Sequence, residues 1–148
     1  MRQKFFTRAG VSLAIILLIA ATSSSLYAID SNNRFFAYGV GQRTCEDYIR
    51  FREQKLEKLE QQYERYTKEE LYEIVNWVVE HWIAGFLTAH NLYVSDTYDV
   101  VGKLTMDDLK ARVEKICRAD NKQHFGQAMI TLTQELHPQR VRADGGKK

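Results

Sequence analysis

Proline is nearly missing from this chain of 148 residues; the only one is Pro138. Glycine is sparse as well, and between Gly41 and Gly85 neither residue occurs, so helix can run there without an intrinsic breaker. No apolar run reaches the ~18 residues that a membrane-spanning helix needs. Internal repeats are absent, which excludes solenoids and propellers. The chemistry-bearing patterns are missing too. There is no Gly-x-Ser-x-Gly elbow, no glycine-rich phosphate loop and no Asp-x-Asp-x-Asp-Gly run closed by Glu, so a serine hydrolase, a P-loop enzyme and an EF-hand are all unsupported. His81 and His90 stand nine apart, a poor spacing for joint metal ligation from one helix face, and His124 and His137 lie far downstream. Neither a catalytic constellation nor a cofactor or metal site is expected.

What is present begins with Arg2, Lys4 and Arg8, followed by an apolar stretch over residues 9–21 and a small-residue end at Ala28. About 13 apolar residues after a cationic start match a secretory leader. Residues 1–28 are therefore expected to be removed, leaving no stable membrane insertion, and the working protein is placed in the periplasm or outside the cell. Three of the 21 Lys+Arg and none of the 19 Asp+Glu fall in the leader, so the remainder carries 18 against 19. A near-neutral domain gives no footing for nucleic acid as a partner. Only two cysteines exist, Cys45 and Cys117, and in an exported chain they most simply form one bridge.

Residues 29–43 read as an irregular arm with aromatic anchors and two glycines, Gly39 and Gly41. Thr44 with Asp47 is a capping pattern, and Ile49, Leu56, Leu59, Tyr63 and Tyr66 continue as a helical stripe. A single helix from Gly41 to Gly85 would run about 65 Å, whereas a domain of this size has a radius of gyration near 14 Å. Thr67 with Glu70 repeats the capping pattern and supplies the break. The helix beginning at Lys68 is apolar around much of its circumference, which predicts a central position. Gly85, flanked by Ala84 and Ala89, predicts a close approach of another backbone. A loop is expected over residues 91–104, then a helix from Thr105, and a last helix capped by Asp120 or Asn121, with Phe125, Ala128, Met129, Leu132 and Leu136 buried and Pro138 as the stop. The expectation is thus all-α: a four-helix domain over residues 44–137 with one disulfide, preceded by a signal peptide and followed by a flexible tail, residues 138–148. Trp77 and Trp82, five apart, cannot share one face, so one of them should point outward.

The run Trp82, Gly85, Phe86, Leu87 and Asn91, with Asp99 and Gly102 after it and Cys45 and Cys117 at either end of the core, resembles the Tai-type immunity proteins of type VI secretion. That resemblance implies a small exported helical fold, a Cys45–Cys117 disulfide and a non-catalytic role in blocking an injected cell-wall amidase. Its candidate contact is the polar loop after the motif, with Tyr93, Ser95, Asp96 and Tyr98. The Thr44 to Asp47 start is less closely similar to the HdeA-type acid-stress chaperones, whose partners are unfolded clients. Either way the partner is another protein, and a second copy of the chain is a further candidate, because mixed charge flanking the Leu56 to Tyr66 stripe is also how helix pairs are written.

Overall fold

The computed structural model describes residues 35–142, and the expected leader, the first part of the expected arm and the last six residues lie outside the described residues. The described part is all-α, with five helices and the Cys45–Cys117 disulfide: α1 (Cys45–Arg52), α2 (Glu57–Gln62), α3 (Lys68–Tyr93), α4 (Met106–Ala119) and α5 (Phe125–Leu136). Short 3-10 turns cover Gly39–Gln42 and His137–Gln139. No helix among these residues is long and apolar enough to cross a membrane.

Local chemistry explains each helix start. Thr44, Thr67 and Thr105 each accept from the backbone N–H three residues on, and Asp47, Glu70 and Asp108 return the bond to the cap's own N–H. These reciprocal caps satisfy amides that a helix end leaves without partners. The start of α1 has further help: Cys45 and Glu46 donate their N–H groups to the carbonyls of Gln123 and Asn121 at 2.9 Å each, so the α4–α5 connection closes over it. Asp120 caps the end of α4 rather than the start of α5, and its side chain accepts from the Lys122 N–H. His124 is the residue before α5, and it makes no side-chain cap there.

The expected first helix is two helices. α1 stops at Arg52 because Gln54 adopts φ +55°, with Lys55 N–H reaching back to the Arg50 carbonyl and Gln54 N–H to that of Phe51. This is a Schellman stop with glutamine where glycine usually stands. It lets Leu56 turn into the core. Gln54→Gly should therefore stabilise the fold by about 0.5–1 kcal/mol, since relief of left-handed strain exceeds the added backbone entropy of the unfolded chain; a urea melt reads the shift, and a loss of stability would contradict the strain.

The centre belongs to α5 and not to α3. Phe125, Ala128, Met129, Leu132 and Leu136 are all buried, as the periodicity predicts, and Gly126 and Thr133 join them. α3 buries only Leu71, Val79, Ile83 and Leu87. The reason is geometric: α5 is short and flanked by α1, α3 and α4, while a 26-residue helix overhangs so small a core. The disulfide joins the start of α1 to the end of α4. Beside it Arg52 pairs with Glu114 at 3.1 Å, and Arg118 spans Glu114 and Glu53.

The arm is anchored by a tryptophan. Trp82 donates Nε1–H to the Tyr38 carbonyl at 2.8 Å, and its ring leaves no space for a Cβ at Gly41, which would run into that ring and the Ala37 methyl. Trp77 is the outward-facing one of the pair, at 60 % exposure.

Candidate functional site

The loop after α3 is held from three sides. Asn91, in the last turn of α3, accepts the Val100 N–H on its Oδ1 at 2.9 Å. Asp99 accepts from the Val101 and Gly102 amides, and Gly102 takes φ +63°, a conformation that suits glycine. The third hold comes from residues expected to be loose. Val141 forms an antiparallel bridge with Asp99, donating to its carbonyl at 2.8 Å, while the Tyr98 and Asp99 amides donate to the Val141 carbonyl. Arg140 donates to both the backbone carbonyl and the carboxylate of Asp96 at 2.9 and 3.0 Å, and Arg142 lies 3.3 Å from the same carboxylate. The expected flexible tail is thus bound to the loop as far as Arg142.

On this frame the four contact candidates divide. Tyr93 and Tyr98 are 81 % and 70 % exposed, and Ser95 is exposed beside them. Asp96 has a structural task as well: φ +56° turns the chain and its carboxylate holds both arginines. Sequence reasoning missed Arg140 and Arg142, since nothing local marks a polar tail as the partner of a loop some 44 residues earlier. The motif residues largely serve the fold. Trp82 pins the arm, Phe86 stacks on Trp82 at 5.4 Å, Leu87 is buried, and Asn91, Asp99 and Gly102 shape the loop. Gly85 is the exception. It is exposed, and a Cβ placed there would meet nothing within 4 Å, so no backbone of the described chain approaches it.

The pairing stripe expected from Leu56 to Tyr66 is used internally in part. Leu56 is buried, Leu59 and Tyr66 are half-buried against the core, and Tyr63 is exposed.

Behind the loop His90 and His137 meet edge to face, ring centroids 6.1 Å apart, with His90 Nε2 and His137 Nδ1 buried and without hydrogen-bond partners. Burial holds His90 below the ordinary histidine range, and His137 adds to that. Burial does the same to His137, reinforced by Arg140 and Arg142 and opposed by Asp96. A histidine with a depressed folded pKa binds fewer protons folded than unfolded, so its contribution is complete above about pH 6.5 and is lost as pH falls through the folded value. Stability should accordingly decline below pH 6.5, before the carboxylates titrate. His90→Phe should flatten the pH 4.5–6.5 segment of a stability profile measured by urea melts; an unchanged slope would show that the pair does not titrate there.

His81 and His124 are engaged with backbone carbonyls, those of Trp77 at 2.7 Å and Gln42 at 2.9 Å. Among the described residues no cluster of three metal-ligating side chains occurs. No family model, curated protein or solved structure matches this chain.

Proposed function

We propose that this chain is an exported, non-catalytic protein-binding domain of the immunity type, acting outside the cytoplasm against a cell-wall-degrading effector. The single observation that supports the reading most is the loop itself: Tyr93 and Tyr98 stand out of a segment tied down by Asn91, Arg140, Arg142 and Val141. Exposed tyrosines on a pre-ordered backbone lose little entropy on docking, and Tyr is enriched among residues that dominate binding energy. The disulfide is compatible with an oxidising compartment. The immunity assignment rests on the motif resemblance.

The test is protection. Candidate amidases encoded near this gene are sent to the periplasm with and without the protein. Rescue of growth by the wild type, and its loss with Tyr98→Asp by a drop of about 30-fold or more in affinity, is the expected outcome; no rescue against any such enzyme, or rescue untouched by Tyr93→Asp and Tyr98→Asp together, overturns the reading. The His90–His137 pair favours one alternative, an acid-activated chaperone, because both rings gain charge in acid beside a tail that closes the loop. Undiminished aggregation of a client at pH 2–3 would rule that out.

A further inference from the structure

We infer that residues 137–142 form an acid-released latch, which holds the loop after α3 at neutral pH and lets it go when His90 and His137 gain protons, the core staying folded. The latch governs how the loop is held; it stands apart from the immunity reading, and its test uses no effector.

The two histidines occupy the roots of the loop and of the latch. His90 lies in the last turn of α3, where its carbonyl accepts the Val94 N–H that closes the helix. His137 follows α5 directly and opens the short turn leading into the latch, and its carbonyl accepts from Arg140. Their rings meet edge to face, 6.1 Å between centroids, and His90 Nε2 and His137 Nδ1 are buried with no hydrogen-bond partner among the described residues. An imidazolium donates from both ring nitrogens. A buried donor without an acceptor is costly, and a charged one more so, so each protonated ring must meet water. The rings have to part to admit it, which moves His137, and the latch with it, away from α3.

Charge works in the same direction. Arg140 and Arg142 come from the latch, Asp96 faces them from the loop, and Asp99, bridged through its backbone to Val141, adds a second carboxylate. α5 ends beside them in Leu136, buried and apolar. While the rings are neutral, two guanidiniums balance two carboxylates. Two imidazoliums turn this into four cations against two anions, at a pH above the range in which carboxylates as a class titrate. Burial holds both rings below the ordinary histidine range, and opening restores their hydration. The open form therefore binds more protons below about pH 6.5, and until the closed-form values are passed its population rises by up to about tenfold per ring for each pH unit.

What the latch supplies is specific. The Tyr98 and Asp99 amides donate to the Val141 carbonyl, and the Val141 N–H donates to that of Asp99. Arg140 holds Asp96, at φ +56°, through both its carbonyl and its carboxylate. Once released, the loop keeps the Asn91 to Val100 bond and the turn around Asp99. The core is tied elsewhere, through the Cys45–Cys117 bridge and the buried face of α5. Opening is thus local, a partial unfolding that leaves the helices in place.

Amide hydrogen exchange of the oxidised protein, followed residue by residue by NMR from about pH 7 to pH 5 and corrected for the intrinsic rate, tests this. Protection at Tyr98, Asp99 and Val141 should fall together by about tenfold or more, while Val113 and Leu132 in the core stay at least about 100-fold better protected at every pH. His90→Phe should reduce the fall to about threefold or less, since one ring is left to titrate. Val141→Pro, which has no N–H to give Asp99, should expose the Tyr98 and Asp99 amides already at neutral pH with core protection unchanged, and this result stands whether or not the histidine variant folds. Four outcomes overturn the inference: protection at the three amides that is flat with pH, a fall undiminished in His90→Phe, latch amides as well protected as the core, or a Val141→Pro protein whose core loses protection along with its loop.

Discussion

Replacing Cys45 and Cys117 together by alanine should lower the unfolding free energy by about 4 kcal/mol, which for a domain of this size is a loss of about 2–3 M in urea midpoint. The estimate follows from the 72-residue separation, which makes the closed loop most of the folded chain. Cross-linking that loop removes conformations from the unfolded state that the reduced chain would regain. The folded state suffers too. Both half-cystines are fully buried, and the bridge holds the α1 start against the α4 end at the point where Cys45 and Glu46 donate to the 121–123 carbonyls. Reduction with the native sequence should reproduce the effect, and the urea m-value should rise because the unfolded chain is less compact. A midpoint shift corresponding to under 1 kcal/mol would mean that the loop is restrained by residual structure and that the bridge is incidental to stability. Since total stability is only about 5–15 kcal/mol, the reduced form should populate unfolded chains at 37 °C.

The helices were legible where their signals are local. Three Thr-x-x-acid boxes mark three starts at the right residues, and the α5 face reads off its spacing without error, because capping and periodicity act within a few residues of sequence. The stop of α1 was illegible for the same reason in reverse: its signal is ordinarily glycine, and Gln54 takes the left-handed conformation instead. Asp120 and Asn121 show a different limit. Either residue type caps helices, but Asp120 is claimed by the end of α4 and the Asn121 carbonyl by the α1 amide, and only tertiary packing decides between such roles.

The candidate surfaces were legible to a lesser degree. Exposure of Tyr93 and Tyr98 could be anticipated from a polar segment, whereas the bonds that hold the loop between them come from Arg140, Arg142 and Val141, far along the chain. For α3, hydrophobicity on every side was visible from sequence, but it predicts burial without naming what does the burying. The small residues at positions 84, 85, 88 and 89 carry the same ambiguity: their sizes predict a close approach, and no part of the described chain makes one at Gly85.

Phe125→Ala should cost about 3–5 kcal/mol, the range for removing a fully buried aromatic ring from a core that can relax only in part. Phe125 opens α5 and sits where three elements converge. Its ring lies 4.7 Å from that of Tyr48 on α1 and 5.5 Å from Trp82 on α3, and its N–H donates to the Arg43 carbonyl of the arm at 2.8 Å. Removing the ring forfeits two aromatic contacts of roughly 0.5–1.5 kcal/mol each beyond the area term. It also undercuts Trp82, whose Nε1–H holds Tyr38. Two readouts should therefore move together: Trp82 emission should shift as its ring loses its neighbour, and limited proteolysis should begin within residues 35–43. Phe125→Leu, which keeps most of the volume, should cost under about 1.5 kcal/mol and leave the arm protected. If alanine and leucine at this position cost the same, volume is not what Phe125 contributes, and the aromatic junction of arm, α1, α3 and α5 is not the keystone of the core.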